Sequence, residues 1–246
     1  MCYFTNWAWY RRGVGKYTPE DIDPNLCTHV VYGFAVLDYS TLLIKPHDRW
    51  ADFDNGKLKL LFWCENVSKH IICFSEFYKK VTDLRAKGIK VTVAIGGWND
   101  SLGDKYSRLV NNPEARRKFI NHVIKFILDN NFDGLDLDWE YPACWQVECK
   151  AERASDKQAF SLWVKELKEA FKPYGLLLSA AVSPSKKVID MGYDVPSVSR
   201  DLDWVAVMTY DYHGHWDKKT GHVSPFYNYP ETTNEHFNTV SHLVFF

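Results

Sequence analysis

The chain has 246 residues, of which 46% are hydrophobic, 16% aromatic and 25% charged, so a folded globular protein is expected and a disordered one is excluded. Thirty basic and 31 acidic residues give a formal charge of −1 without a continuous run of Lys or Arg, which argues against a nucleic-acid partner. No stretch approaches the roughly 20 apolar residues that cross a bilayer, so we expect no membrane association.

Six segments rich in β-branched and aromatic residues predict strands. They lie at 3–8, 29–36, 90–95, 132–139, 176–182 and 204–209. Helical patterns separate most of them: one opens with Pro113 at a first-turn position, and another opens with the capping box Ser155/Gln158. Because the first strand follows Met1 at once, we expect any secretory leader to have been removed, omitted or encoded upstream.

Near-continuously apolar strands that alternate with helices predict an α/β protein with a parallel sheet. The two candidates are a (β/α)8 TIM barrel and an open doubly wound sheet. The first strand is not followed by G-x-G-x-x-G, which removes the simplest dinucleotide-binding interpretation, and the barrel is preferred. From 211 to 246 no seventh or eighth strand is evident, so we predict an incomplete barrel with about six of eight βα units, of low stability and prone to aggregation.

Six cysteines without a C-x-x-C pair disfavour zinc ribbons and thioredoxin-like chemistry. Cys2 and Cys27 stand at the starts of two successive predicted strands, and Cys144 and Cys149 lie in one loop. Both pairs are candidates for disulfides in an oxidising compartment, with buried reduced thiols as the alternative.

Three carboxylates share one face of the fourth predicted strand. Side chains alternate along a strand, so Asp136, Asp138 and Glu140 point one way, opposite two leucines and a tryptophan. Crowded like charges raise the pKa of one member, as a general acid near neutral pH requires, and Glu140 at the carboxyl end is the natural donor. A Mg²⁺ or Ca²⁺ site is the main alternative.

The run from Asp133 to Glu140 matches the D-x-x-D-x-D-x-E signature of family 18 glycoside hydrolases of the chitinase type, and Tyr141 and Pro142 complete it. Other segments resemble the same family: CYFTNWA at 2–8, YGFA at 32–35, AIGGWN at 94–99 and MTYD at 208–211. The resemblance covers most of the chain in the expected order. It implies a (β/α)8 barrel.

The resemblance also implies endo-hydrolysis of chitin, the β-1,4-linked N-acetylglucosamine polymer, by a retaining mechanism in which the substrate's acetamido group is the nucleophile. Glu140 would act as acid and base, Asp138 would stabilise the intermediate, Asp136 would share a proton with Asp138, and Tyr210 would hold the acetamido oxygen. No cofactor and no metal are implied. The partner would be chitin or chitooligosaccharides, bound by a secreted, monomeric catalytic domain, alone or within a longer multidomain chain.

Eight further positions match the substrate cleft of the family. They are Tyr3, Trp7, Phe34, Gly97, Trp98, Tyr141, Met208 and Asp211. Asp133 would be structural support, and His213 and His215 would be solvated. The alternatives are a catalytically silent chitin-binding lectin and an inactive truncated chitinase; the presence of Glu140, Asp138 and Tyr210 favours the enzyme.

Two segments depart from the family pattern, so we predict a partial catalytic domain over 1–239 with an atypical insertion at about 56–76 and an atypical tail at 240–246. The insertion is interpreted as a retained intron or a similar gene-model error. The alternative is a genuine insertion with a Cys64–Cys73 bridge and a glycosylated Asn66.

Overall fold

The computed structural model of the protein describes residues 1–54, 76–228 and 236–243. Most of the predicted insertion, with Cys64, Cys73 and Asn66, therefore lies outside the described residues, as does the tail beyond residue 243. Within the described ranges, no helix is both long enough and apolar enough to cross a membrane.

A curled parallel sheet forms the centre of the molecule, and its strands follow one another in chain order. It comprises β1 (Cys2–Thr5), β2 (His29–Leu37), β4 (Lys90–Gly96), β5 (Gly134–Asp138), β8 (Leu177–Val182) and β9 (Trp204–Val207). These six strands correspond to the six predicted ones. Short β3 (Ile44–Pro46) pairs antiparallel with the end of β2, and β6 (Cys144–Trp145) and β7 (Glu148–Cys149) form a separate hairpin.

Helices cover the sheet. They are Phe77–Thr82, Lys105–Val110, Pro113–Asp129, Ser155–Phe171, Lys186–Gly192, Val195–Asp201 and Thr239–Leu243. As predicted, one helix begins at Pro113, and the Asn112 side chain caps it by accepting hydrogen bonds from the next free backbone N–H groups. The two longest helices bury apolar stripes, which include Phe119 and Val123 on one and Phe160 and Trp163 on the other.

Two local predictions are wrong. The first strand ends at Thr5 rather than Ala8, because the chain turns into a 3-10 helix, Asn6–Tyr10, and the buried Asn6 amide donates to Asp52 Oδ1 at 3.2 Å. The capping box is not formed, since Ala154 already has helical dihedral angles and is itself the N-cap of the helix that begins at Ser155.

The sheet is a part of a barrel, in agreement with the predicted incomplete (β/α)8 architecture. Among the described residues, β1 is hydrogen-bonded to β2 and β9 to β8, and neither has a second strand neighbour. All four residues of β9 are only half-buried, whereas those of β5 are all buried. A sheet of this curvature brings the carboxyl ends of its strands to one face, where barrel enzymes build their sites.

Both candidate disulfides are present. Cys2–Cys27 joins the start of β1 to the segment before β2, with the Cα atoms 6.0 Å apart. Cys144–Cys149 closes the β6–β7 hairpin, with the Cα atoms 3.8 Å apart.

Candidate active site

The carboxylate row lies at the carboxyl end of β5 and is buried. Asp136, Asp138 and Glu140 are 0%, 5% and 9% exposed. On the opposite face Trp139 stacks on Tyr106, with ring centroids 5.7 Å apart, and so packs against the helical layer. Three acidic groups thus share a site from which water is largely removed, and burial raises the pKa of such groups.

Asp136 is held by two hydroxyl groups from other strands. Tyr3 on β1 donates to Oδ2 at 2.9 Å, and Ser179 on β8 donates to Oδ1 at 2.5 Å. Burial raises the pKa of Asp136 to about 6, although both hydrogen bonds lower it. Because both carboxylate oxygens accept hydroxyl donors, the arrangement disfavours the alternative of a divalent-cation site built on Asp136.

Asp138 is the least compensated member of the row. Its Oδ1 is buried and has no hydrogen-bond partner among the described residues. Burial raises the pKa of Asp138 well above its usual range, and the charges of Glu140 and Asp136 raise it further. Asp138 is therefore the group on which a proton shared within the row is most stable at neutral pH.

Glu140 has the pKa of a group that can both give and take a proton. Burial raises the pKa of Glu140 to about 7; hydrogen bonding by Tyr141 lowers it and the charge of Asp211 raises it. The Glu140 backbone is fixed by its N–H, which donates to Ser101 Oγ at 2.9 Å. Near neutral pH this carboxyl divides between its two protonation states, as general acid and base catalysis requires.

Glycines let the end of β4 approach β5 closely. Gly96 has φ +122°, and a Cβ there would lie 2.1 Å from the Asp138 carbonyl oxygen. The Gly97 N–H donates to the same oxygen at 2.8 Å, and a Cβ on Gly97 would lie 3.0 Å from the Phe34 ring. The close backbone contact thus requires glycine at position 96, and the positive φ of Gly97, +83°, favours glycine there as well.

Aromatic rings surround the carboxylates at the strand ends. Trp7 stacks on Phe34, with ring centroids 5.9 Å apart and an angle of 14° between the planes. Tyr3, Trp7 and Trp98 remain 41–47% exposed, so part of each ring is accessible from solvent. Such surfaces stack well on the apolar faces of sugar rings.

The segment after β9 completes the site. Met208 is buried and Tyr210 is half-exposed, and Asp211 has a left-handed backbone with φ +58°. The pKa of Tyr210 is raised to about 12 by burial and then by the charges of the neighbouring carboxylates, Asp138 first. The Tyr210 hydroxyl is therefore protonated at neutral pH and is a hydrogen-bond donor beside the row.

Comparison with known families identifies the fold. The model of glycosyl hydrolases family 18 matches residues 1–243. The chain belongs to family 18. The predicted resemblance to the family is therefore confirmed.

Its relatives in family 18 include both enzymes and a binding protein. Probable chitinase 10 of Drosophila melanogaster is 58% identical over 238 residues, which are 97% of this chain and 10% of the relative. Catalytic domain 2 of the Ostrinia furnacalis Group II chitinase, also solved as a mutant in complex with (NAG)5, is 55% identical with a TM-score of 0.89 over 99% of this chain and 58% of that one. Human YKL-39, a pseudo-chitinase that retains chitooligosaccharide binding, is 30% identical with a TM-score of 0.76 over 99% of this chain and 61% of that one.

The chain thus spans a tenth of the curated relative and about three fifths of the solved structures. The twelve residues predicted for the family 18 site lie within parallel strands or in the segments that directly follow them. Their roles in binding and chemistry stay predictions.

Three further residues, Asp133, Ser179 and Ser101, contact β5 or the residues that follow it. Asp133 lies at the other end of β5, where its carboxylate accepts from the Val91 N–H at 2.8 Å and pairs with Arg85 Nε at 3.2 Å, in agreement with a structural role. Sequence reasoning missed Ser179 and Ser101, which contact Asp136 and Glu140. A polar residue inside the apolar strand 176–182 was the available signal for Ser179.

Proposed function

We propose that the chain is the catalytic part of a chitinase, which hydrolyses β-1,4-linked N-acetylglucosamine polymers internally with retention of configuration. The observation that carries the proposal is the buried row of Asp136, Asp138 and Glu140 with raised pKa values beside the Tyr210 hydroxyl. Membership of family 18 and similarity to insect chitinases support it.

Glu140 begins the reaction as general acid. Its proton passes to the glycosidic oxygen as the bond from that oxygen to the anomeric carbon breaks. The acetamido carbonyl oxygen of the same sugar attacks the anomeric carbon, because family 18 is among the substrate-assisted exceptions to the two-carboxylate pattern. The product of this step is a cyclic oxazolinium ion.

Asp138 stabilises that cation and Asp136 tunes Asp138. With one proton shared between the two groups, the pair carries one negative charge next to the positive oxazolinium ring. Tyr210 donates a hydrogen bond to the acetamido oxygen and holds it in line with the anomeric carbon. Glu140, now ionised, takes a proton from water, and the hydroxyl opens the ring from the original face.

Stacking supplies much of the binding. Tyr3, Trp7, Phe34 and Trp98 present aromatic faces to successive sugars, while Gly97, Tyr141, Met208 and Asp211 line the reacting subsite. The two disulfides suit a secreted protein, and we expect a monomeric domain in the extracellular space.

The test compares the wild-type chain with Glu140→Gln on a fluorogenic chitooligosaccharide and on the matching cellooligosaccharide, which lacks the acetamido group. We expect turnover of the first substrate alone, with a loss of roughly 10²- to 10⁴-fold in Glu140→Gln. The first product seen by NMR should be the β anomer. Equal turnover by the two proteins, or hydrolysis of the cellooligosaccharide, would refute the assigned mechanism.

A binding protein without turnover is the second candidate, because YKL-39, which has this fold, is a pseudo-chitinase with retained chitooligosaccharide binding. The presence of Glu140, Asp138 and Tyr210 favours the enzyme. Measured binding of a chitotetraose by a wild-type chain that releases no product would favour the lectin, and neither binding nor turnover would indicate an inactive fragment.

A further inference from the structure

The β6–β7 hairpin lies beside the site, between the acid-bearing loop and the loop after β4. It is closed by Cys144–Cys149, and its two central residues, Gln146 and Val147, both have left-handed backbone angles, φ +46° and +65°. Asp156 anchors the hairpin from the following helix by accepting hydrogen bonds from the Ala143 N–H and from Trp145 Nε1. The hairpin is thus held from two sides.

Gln146 joins two elements of the site through this fixed hairpin. Its backbone N–H donates to the Glu140 carbonyl at 2.9 Å, and its side-chain Nε2 donates to the Trp98 carbonyl at 2.9 Å. One residue therefore spans from the proposed acid to the proposed sugar-stacking tryptophan.

The Trp98 indole needs such a restraint. It is 47% exposed. The Trp98 backbone follows Gly96 and Gly97, both of which have positive φ. Glycine has no Cβ, so these two residues restrict the backbone of the loop little. The Gly97 N–H donates to the Asp138 carbonyl, and the Gly97 carbonyl accepts from the Ser101 N–H. The Trp98 carbonyl is therefore the next backbone group along the loop that a hydrogen bond can hold.

We propose that Gln146 is a positioning residue for sugar binding, which acts by fixing the Trp98 backbone and hence the direction of the indole. The inference rests on the proposed function, because it assumes that Trp98 stacks on a bound N-acetylglucosamine. It assigns no chemical step to Gln146. Loss of the amide donor weakens binding and leaves the proton transfers of Glu140 unaltered.

The test uses Gln146→Met, which keeps the length of the side chain and has no donor. Binding of chitotetraose is measured by calorimetry in the Glu140→Gln background, so that the ligand is not cleaved. We expect the Kd to rise roughly three- to tenfold, the worth of one hydrogen bond. Val147→Asn, in the same hairpin and compatible with a left-handed backbone, is the control and leaves the Kd unchanged.

A double-mutant cycle with Trp98→Ala shows whether Gln146 acts through Trp98. Trp98→Ala alone weakens binding, and Gln146→Met then adds no further loss. An equal loss from Gln146→Met in both backgrounds would overturn the proposal, as would an unchanged Kd in the single variant.

A second readout needs no sugar. In the chain labelled with fluorotryptophan, the Trp98 resonance is assigned by its absence in Trp98→Phe, and Gln146→Met is expected to shift and narrow it. An unaltered Trp98 resonance refutes positioning by Gln146, whereas failure of the parent chain to bind chitotetraose refutes the proposed function alone.

Discussion

Ser179→Ala tests how the strand next to β5 controls the chemistry. Ser179 is fully buried, and its hydroxyl donates to Asp136 Oδ1 at 2.5 Å. Alanine fits the same space, so the change removes one hydrogen bond and creates almost no cavity. The remaining donor is the Tyr3 hydroxyl on the other carboxylate oxygen.

The size of the effect follows from the worth of a hydrogen bond to a charged group, about 1.5–3 kcal/mol. One pH unit of pKa corresponds to about 1.4 kcal/mol. Since the Ser179 bond lowers the pKa of Asp136, its loss raises that pKa by about one to two pH units, from about 6 to between about 7 and 8.

The pH dependence of kcat/KM on a fluorogenic chitooligosaccharide measures this change. Activity requires one negative charge on the Asp136–Asp138 pair, so it is lost as the pH falls through the pKa of the pair. The acidic limb of Ser179→Ala should therefore lie about one to two pH units higher than that of the wild type. The alkaline limb reports the loss of the Glu140 proton near its pKa of about 7, so the two limbs of Ser179→Ala should overlap, and the maximal kcat/KM should fall and move to higher pH.

The control is Ser161→Ala, on the helix outside the sheet, where the hydroxyl donates to the Lys157 carbonyl at 3.1 Å. Its profile should coincide with that of the wild type. An acidic limb of Ser179→Ala that stays in place or moves to lower pH would show that the Ser179 hydroxyl does not set the pKa of Asp136.

Three further outcomes are expected in urea unfolding. Gly96→Ala should destabilise the chain by about 3 kcal/mol or more, because its Cβ would meet the β5 backbone. Gly88→Ala is the control: its Cβ would meet nothing within 4 Å, and the expected loss is about 1 kcal/mol. Equal losses would contradict the predicted contact with β5. Removal of the Cys2–Cys27 disulfide, with a sequence separation of 25, should lower the free energy of unfolding by about 3.5 kcal/mol. Removal of Cys144–Cys149, with a separation of 5, should lower it by about 2 kcal/mol, and the reverse order would refute the loop-entropy reasoning. A carboxyl with a raised folded-state pKa favours the folded chain as the pH falls through that pKa. The stability of the wild type relative to Asp136→Asn should therefore increase by about 2.5 kcal/mol from pH 7.5 to pH 4, and a constant difference would contradict the raised pKa.

Sequence patterns predicted the parallel strands and the carboxylate row because both depend on local periodicity. A strand alternates its side chains, so the spacing of Asp136, Asp138 and Glu140 alone puts them on one face. The helix from Pro113 was equally local, because a first-turn proline and an apolar stripe lie within one segment.

The errors and omissions come from contacts that are distant in sequence. The end of β1 depends on Asn6 reaching Asp52, 46 residues away, and the Ser179 contact to Asp136 spans 43 residues. The β6–β7 hairpin has strands of two residues each, too short for any periodicity, and depends on its disulfide and on Asp156. Such features follow from tertiary contacts and cannot be read from a local pattern.

The chemistry assigned to the signature depends on residues outside it. Burial raises the pKa values of Asp136 and Glu140. Hydrogen bonds from Ser179 on β8 and Tyr3 on β1 lower the pKa of Asp136, and the charge of Asp211 after β9 raises that of Glu140 further. A chain can therefore keep all three carboxylates of the row and still lose their protonation pattern if the neighbouring strands shift. It follows that the pH profile of Ser179→Ala is a stricter test of the proposed mechanism than the presence of the signature, because it asks whether the sheet tunes the row as the mechanism requires.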